Sequence, residues 1–184
     1  MATKTAAGTT VEFSGAVEVL GPVTLVRLPD DASAALPSRG QVAVHGSFAG
    51  RELATVVEPD GRRGHWLRVQ DTLASAAGVE EGDPVEVTLV VAEEWPEPEV
   101  PDDLAAALGS APQAIREVWE DITPMARWEW VRWVGATKNA DTRAKRVRVS
   151  LDKMDHGKRR PCCFDLSSCT DPDVMRSGKL PEPS

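Results

Sequence analysis

Between Glu93 and Pro101 the chain reads EEWPEPEVP, three prolines and four glutamates in one run, and the apolar residues on its two sides follow different periods. Proline has no N–H to give a helix or a central strand, so neither regular structure passes through this segment. It reads as a stiff, extended linker. The 184 residues therefore divide into two modules, each of which has to bury its own apolar surface. The expected organisation is a small barrel over 1–94, a Pro/Glu-rich linker over 95–101, a helical domain over 102–157 and a Cys-containing, flexible tail over 158–184.

Before the linker the pattern is alternation. Over Val11 to Val19, residues Phe13, Gly15, Val17 and Val19 share one face, with Glu12, Ser14 and Glu18 opposite, which is the signature of a half-buried strand. Gly21-Pro22 breaks it, and Val23 to Leu28 follows as a second strand before a polar loop. Gln41 to Phe48 and Arg51 to Val57, joined by Ala49-Gly50, form a β-hairpin. Pro59-Asp60-Gly61 is a turn into Trp66 to Gln70. Asp71 to Ala77 is a helical turn that Gly78 stops, since glycine accepts the left-handed conformation of a C′ residue. Pro84 to Val91 closes the series, with Val85, Val87, Leu89 and Val91 on one face. Five or six short strands in this length predict a closed barrel, which leaves no exposed sheet edge.

Beyond the linker the period becomes helical. Asp102 and Asp103 place negative charge in a first turn, with Leu104 to Leu108 behind them and Gly109 as a stop. Ala111 to Asp121 carries Ile115, Val118 and Trp119 at helical spacing, continued by Ile122. Thr123-Pro124 supplies an N-cap and N1 pair. On the helix that follows, Ala126, Trp130, Trp133 and Val134 share a face and read as core, while Trp128 lies off that stripe and can stack with Arg132 four residues on. Asn139 to Thr142 caps a final basic helix running to about Met154. Pro181 to Ser184 is expected to be disordered. The fold class is thus α+β, a small closed β-barrel followed by helices.

The net charge of −8 conceals a segregation. Counted from the sequence, residues 1–94 carry −7, 95–121 carry −6, 122–160 carry +7 and 161–184 carry −2. The overall acidity argues against a general nucleic-acid binder, and the basic helices either dock on the acidic barrel or meet an anionic partner. No apolar run reaches the roughly 18 residues of a membrane span. The opening MATKTAAGTT has neither a basic nor an apolar targeting region. A cytoplasmic protein with no membrane insertion is expected.

The candidate ligand-binding residues are Trp128, Arg132, Lys138, Arg143 and Arg146, a basic-aromatic set suited to a carboxylate, a phosphate or a peptide backbone. The structural alternative for Arg143 is an ion pair with an acid on the preceding helix. His156, Cys162, Cys163 and Cys169 hold enough donor atoms for tetrahedral zinc, but their spacing is not that of a CxxC knuckle, and three reduced cysteines suit a cytosolic chain. No metal and no cofactor are expected. His45 and His65 read as surface or turn histidines. No nucleophile elbow, Walker loop, Rossmann glycine fingerprint or HExxH helix occurs. Gly61-Arg62-Arg63-Gly64 is a turn with no helix behind it to cradle a phosphate.

The barrel segments VRLP, GQVAVHGSFAGRELATVVEPDGRRGHWLRV and AAGVEEGDPVEVTLVV resemble an uncharacterised bacterial barrel domain related to AbrB-like, double-split barrels. VPDDLAAALG with ITPMARWEWVRWVGATKNADTRAKRVRVSLDKMDHGK resembles the YdeI/OmpD-associated, or bacteriocin-protection, family. Its most specific match is the pattern at Trp133, Ala136, Thr142, Arg143 and Arg146. The resemblance implies a non-enzymatic role in tolerance to antimicrobial peptides, through an anionic or peptide ligand of unknown identity. A nucleic-acid-binding regulator using the basic helices and the barrel is the alternative.

Overall fold

The computed structural model describes residues 8–161 and 170–183. They form two compact units: Met1–Pro96 together with Lys179–Ser184, and Glu97–Gly178.

In the first unit six strands, β1 (Thr10–Leu20), β2 (Val23–Arg27), β3 (Val42–Phe48), β4 (Arg51–Pro59), β5 (His65–Val69) and β6 (Pro84–Val91), close a barrel in the order β1-β2-β5-β4-β3-β6. Every neighbouring pair is antiparallel. The strand β1 is long enough to serve two partners. Thr10 to Ala16 pairs with β6, and Val17 to Leu20 pairs with β2. The alternation read from the sequence fills the interior with Phe13, Val44, Phe48, Leu67, Val87 and Leu89 among others. Val19, assigned to the inward face, is instead 40% exposed, because it lies in the part of β1 that has left β6.

Gly46 lets β3 pass β6. Its φ is +154°, and a Cβ there would strike the carbonyl of Thr88, so a side chain is excluded by both conformation and space. Two short helices, α1 (Asp30–Ala34) and α2 (Asp71–Ala77), complete the unit. The first falls where only a polar loop was expected. Asp31 accepts from the Ala32 N–H, and Ala32 and Leu36 join the core. The second ends as expected at Gly78, with φ +66°, and packs Leu73, Ala74 and Ala77 on the core.

The second unit contains α3 (Asp102–Gly109), α4 (Gln113–Asp121), α5 (Pro124–Gly135) and α6 (Ala140–Asp155). Thr123 caps α5 through its hydroxyl, and Asn139 caps α6 through its side-chain oxygen. The last helix packs against α3, α4 and α5. Leu104, Trp130, Val134 and Met154 are among the core residues that the four helices share. No helix among the described residues is long and apolar enough to cross a membrane.

Within the segment read as a tail, Leu180 is fully buried and donates its N–H to the Asp60 carbonyl at 2.8 Å.

Candidate functional site

Helix ends leave carbonyls without intrahelical donors and concentrate partial negative charge. The helix α4 has no basic residue in its last turn, and arginines from elsewhere in the second unit supply the missing donors. Arg127 on α5 donates to the carbonyls of Trp119 and Glu120 at 2.9 and 2.7 Å, and to Glu97 Oε1 at 2.5 Å. Arg159 donates to the Asp121 carbonyl at 3.1 Å and pairs with its carboxylate at 2.7 Å. Arg146 on α6 does the same for α5, donating to the Trp133 carbonyl at 2.7 Å.

Two more arginines brace the helices as bidentate ion pairs. Arg160 grips Glu129 at 2.8 and 2.7 Å. Arg143 grips Asp103 at 2.6 and 2.9 Å. The ion pair foreseen for Arg143 exists, but the acid lies in the first turn of α3 and not on the preceding helix. Hydrogen bonding to Arg143 holds the Asp103 carboxyl below its ordinary 3.8, and the same bond raises the guanidinium. The acid partners Glu97, Asp103, Asp121 and Glu129 all belong to the second unit. Much of the basic run is therefore neutralised within its own unit.

The aromatic residues divide along the same line. Trp130 is fully buried, donates its indole N–H to the Arg159 carbonyl at 3.1 Å, and meets Trp133 edge to face at 6.3 Å. Trp133 carries two cations, Arg146 at 5.4 Å and Lys153 at 5.3 Å from its centroid. The Arg132 guanidinium stands 5.2 Å over Trp128, the stack that their four-residue spacing predicts. Lys138 pairs with Asp173 at 3.1 Å with both side chains largely exposed, a geometry of little energetic weight.

Of the five candidates, then, Arg143 and Arg146 are held in bracing contacts. Trp128 and Arg132 are joined to each other, and Lys138 stands at the surface. The structure adds Lys145 and Arg148, both exposed, on the face of α6 opposite Val147, Ser150 and Met154. Their three-residue spacing in the basic run is the sequence signal for that shared exposure.

The barrel holds a hydroxyl–imidazole pair that the sequence did not suggest. His65 is 1% exposed, so it is no surface histidine. Its Nε2–H donates to the Gly40 carbonyl at 2.9 Å. Nδ1 therefore accepts from the Ser33 hydroxyl at 2.6 Å, since a carbonyl has no proton to give. Burial holds the imidazole below its ordinary 6.5, helped by Arg39 and opposed by the Gly40 bond and by Asp60. Ser33 is also 1% exposed, so the pair ties α1 to β5 and presents nothing to solvent. His45, by contrast, is exposed, as read. The turn at 61–64 is no anion cradle, because the N–H groups of Arg62 and Gly64 already donate to the Asp60 carboxylate.

His156 ends α6 with Nδ1–H donating to the Asp152 carbonyl. Among the described residues no group of three or more metal-ligating side chains occurs. Cys162, Cys163 and Cys169 lie outside the described residues.

The chain is thus a two-part protein, a closed β-barrel joined to a four-helix unit cross-braced by arginines. Residues 97–157 match the family model described as bacteriocin-protection, YdeI or OmpD-associated. Residues 8–89 match that of a domain of unknown function designated DUF1905. The helical unit is thus of the YdeI/OmpD-associated family and the barrel of the DUF1905 type. Comparison with curated proteins gives no match.

Proposed function

We propose that the protein is a non-enzymatic, cytoplasmic binding protein that contributes to resistance to bacteriocins or other antimicrobial peptides. The ligand is an anion or a peptide held on the helical unit. The observation that carries this reading is the family match, which covers the helical unit alone. The contact residues on this reading are Trp128, Arg132 and Lys138, joined by Lys145 and Arg148 on α6. Arg143 and Arg146 set the shape of that surface from beneath.

Two features support binding without chemistry. The Ser33–His65 pair is sealed from substrate, and the bound arginines stabilise helix ends and carboxylates of the protein itself. The nucleic-acid alternative is not favoured, because Arg143, Arg146, Arg159 and Arg160 are engaged within the unit and so less able to make the phosphate contacts that duplex binding needs.

The test is survival of cells lacking and overproducing the protein across a panel of bacteriocins and cationic peptides, with intact-mass analysis of any peptide against which it protects. The reading expects a protein-dependent shift in tolerance and recovery of the peptide uncleaved. A cleaved or modified peptide would make the protein an enzyme. No shift for any peptide would remove the protective role.

A further inference from the structure

The barrel holds one segment of its own chain as a receptor holds a peptide. After a turn at Ser177 and Gly178, both with positive φ, residues 180–182 make four polar contacts with residues far away in sequence. The Leu180 N–H donates to the Asp60 carbonyl at 2.8 Å. Its carbonyl accepts from Arg62 Nε at 3.1 Å. The Pro181 carbonyl accepts from Arg27 Nη2 at 2.6 Å, and the Glu182 carboxylate meets Arg62 Nη1 at 3.1 Å. The Leu180 side chain is fully buried.

Three of these contacts use main-chain groups, so the grip does not depend on sequence. The side chains add a fully buried leucine, a proline with no N–H to satisfy, and an acidic residue facing Arg62. This is the division of labour found where extended peptides are recognised.

The receptor groups are fixed by contacts of their own. The Asp60 carboxylate accepts from the N–H groups of Arg62 and Gly64 at 2.7 and 2.8 Å, and the Asp60 N–H donates to the Gly64 carbonyl at 3.0 Å. Arg39 holds the Arg63 carbonyl at 2.9 Å. Arg27 is steadied by Glu18, Nε to Oε1, at 2.8 Å. A site organised in advance keeps more of its contact energy as affinity.

We infer that Arg27, Asp60 and Arg62 form a peptide-docking site, occupied in cis by residues 180–182, that accepts in trans an extended peptide of the same chemistry: an aliphatic residue, then proline, then an acidic residue. The inference goes beyond the role assigned to the helical unit. It stands or falls on the barrel alone.

The experiment uses the full chain with Leu180→Asp and Glu182→Ala together, chosen to release the resident segment by removing its buried side chain and its ion pair, and a fluorescein-labelled Gly-Lys-Leu-Pro-Glu-Pro peptide followed by anisotropy. The released chain is expected to bind the probe at least about tenfold more tightly than the unmodified chain, whose own segment competes at high effective concentration. Adding Arg62→Glu should abolish binding, and a probe with aspartate in place of leucine should fail. No binding by the released, folded chain, or binding that ignores Arg62→Glu, overturns the inference. If the released chain does not fold, hydrogen exchange of the Leu180 amide is followed in the unmodified protein. Excess probe should accelerate that exchange, and an unchanged rate overturns the inference. So does a dimer of the unmodified chain that Arg62→Glu dissolves, since the occupant would then be a second copy.

Discussion

Arg160 and Arg143 make the same bidentate contact with a carboxylate, yet exposure makes them unequal. The Glu129 side chain is 11% exposed and that of Asp103 is 42%. Removing Arg160 strands a nearly buried charge, so Arg160→Ala is expected to cost about 2 kcal/mol in chemical denaturation. Arg143→Ala is expected to cost less than about 1 kcal/mol, because solvent screens the pair. Asp103 is more acidic folded than unfolded, so its share of stability is present above pH 3.8 and is lost as pH falls through the lowered value. Arg143→Ala and the parent should therefore converge in stability at strongly acid pH. His65 has the same sign for a different reason. Its folded form favours the neutral ring, so its contribution is complete above pH 6.5 and declines as pH falls below that. Denaturation of the parent should show this loss between neutral and mildly acid pH, and His65→Gln should flatten it.

At the scale of elements, the strands and the four long helices were legible because period-two and helical apolar patterns coincide with strong punctuation: Gly21-Pro22, Gly78, the Pro/Glu linker and Thr123-Pro124. The short α1 was not, since five residues are too few to show a period and its apolar contacts, Ala32 and Leu36, depend on where the barrel wall stands. In the sequence Gly46 is one more position on the face of Val42, Val44 and Phe48, whereas its importance is the approach of β6. Gly46→Ala should cost more than about 2 kcal/mol, read as a lowered denaturation midpoint, because left-handed strain adds to a backbone clash. Thr123→Ala should cost about 1 kcal/mol by removing the α5 cap, whose hydroxyl accepts from the Ala126 N–H.

For the molecule as a whole, composition showed a basic segment but not its disposition. A charge run does not state which arginines face helix ends and which face water, because that follows from tertiary contacts such as Arg127 reaching back to Glu120 and Arg159 reaching Asp121. The buried seat of Leu180 was hidden for the same reason, its partners Asp60 and Arg62 lying far off in sequence. What the structure adds to the sequence is thus a division of one basic-aromatic set into braces and candidate contacts, and the proposed protection rests on the contacts. The direct measurement is tolerance of cells carrying a Trp128→Ala, Arg132→Ala, Arg148→Ala variant whose melting matches the parent within a few degrees, against a peptide from which the parent protects. This folded variant is expected to lose protection. Full protection by it would overturn the proposed contacts and move the site away from this surface.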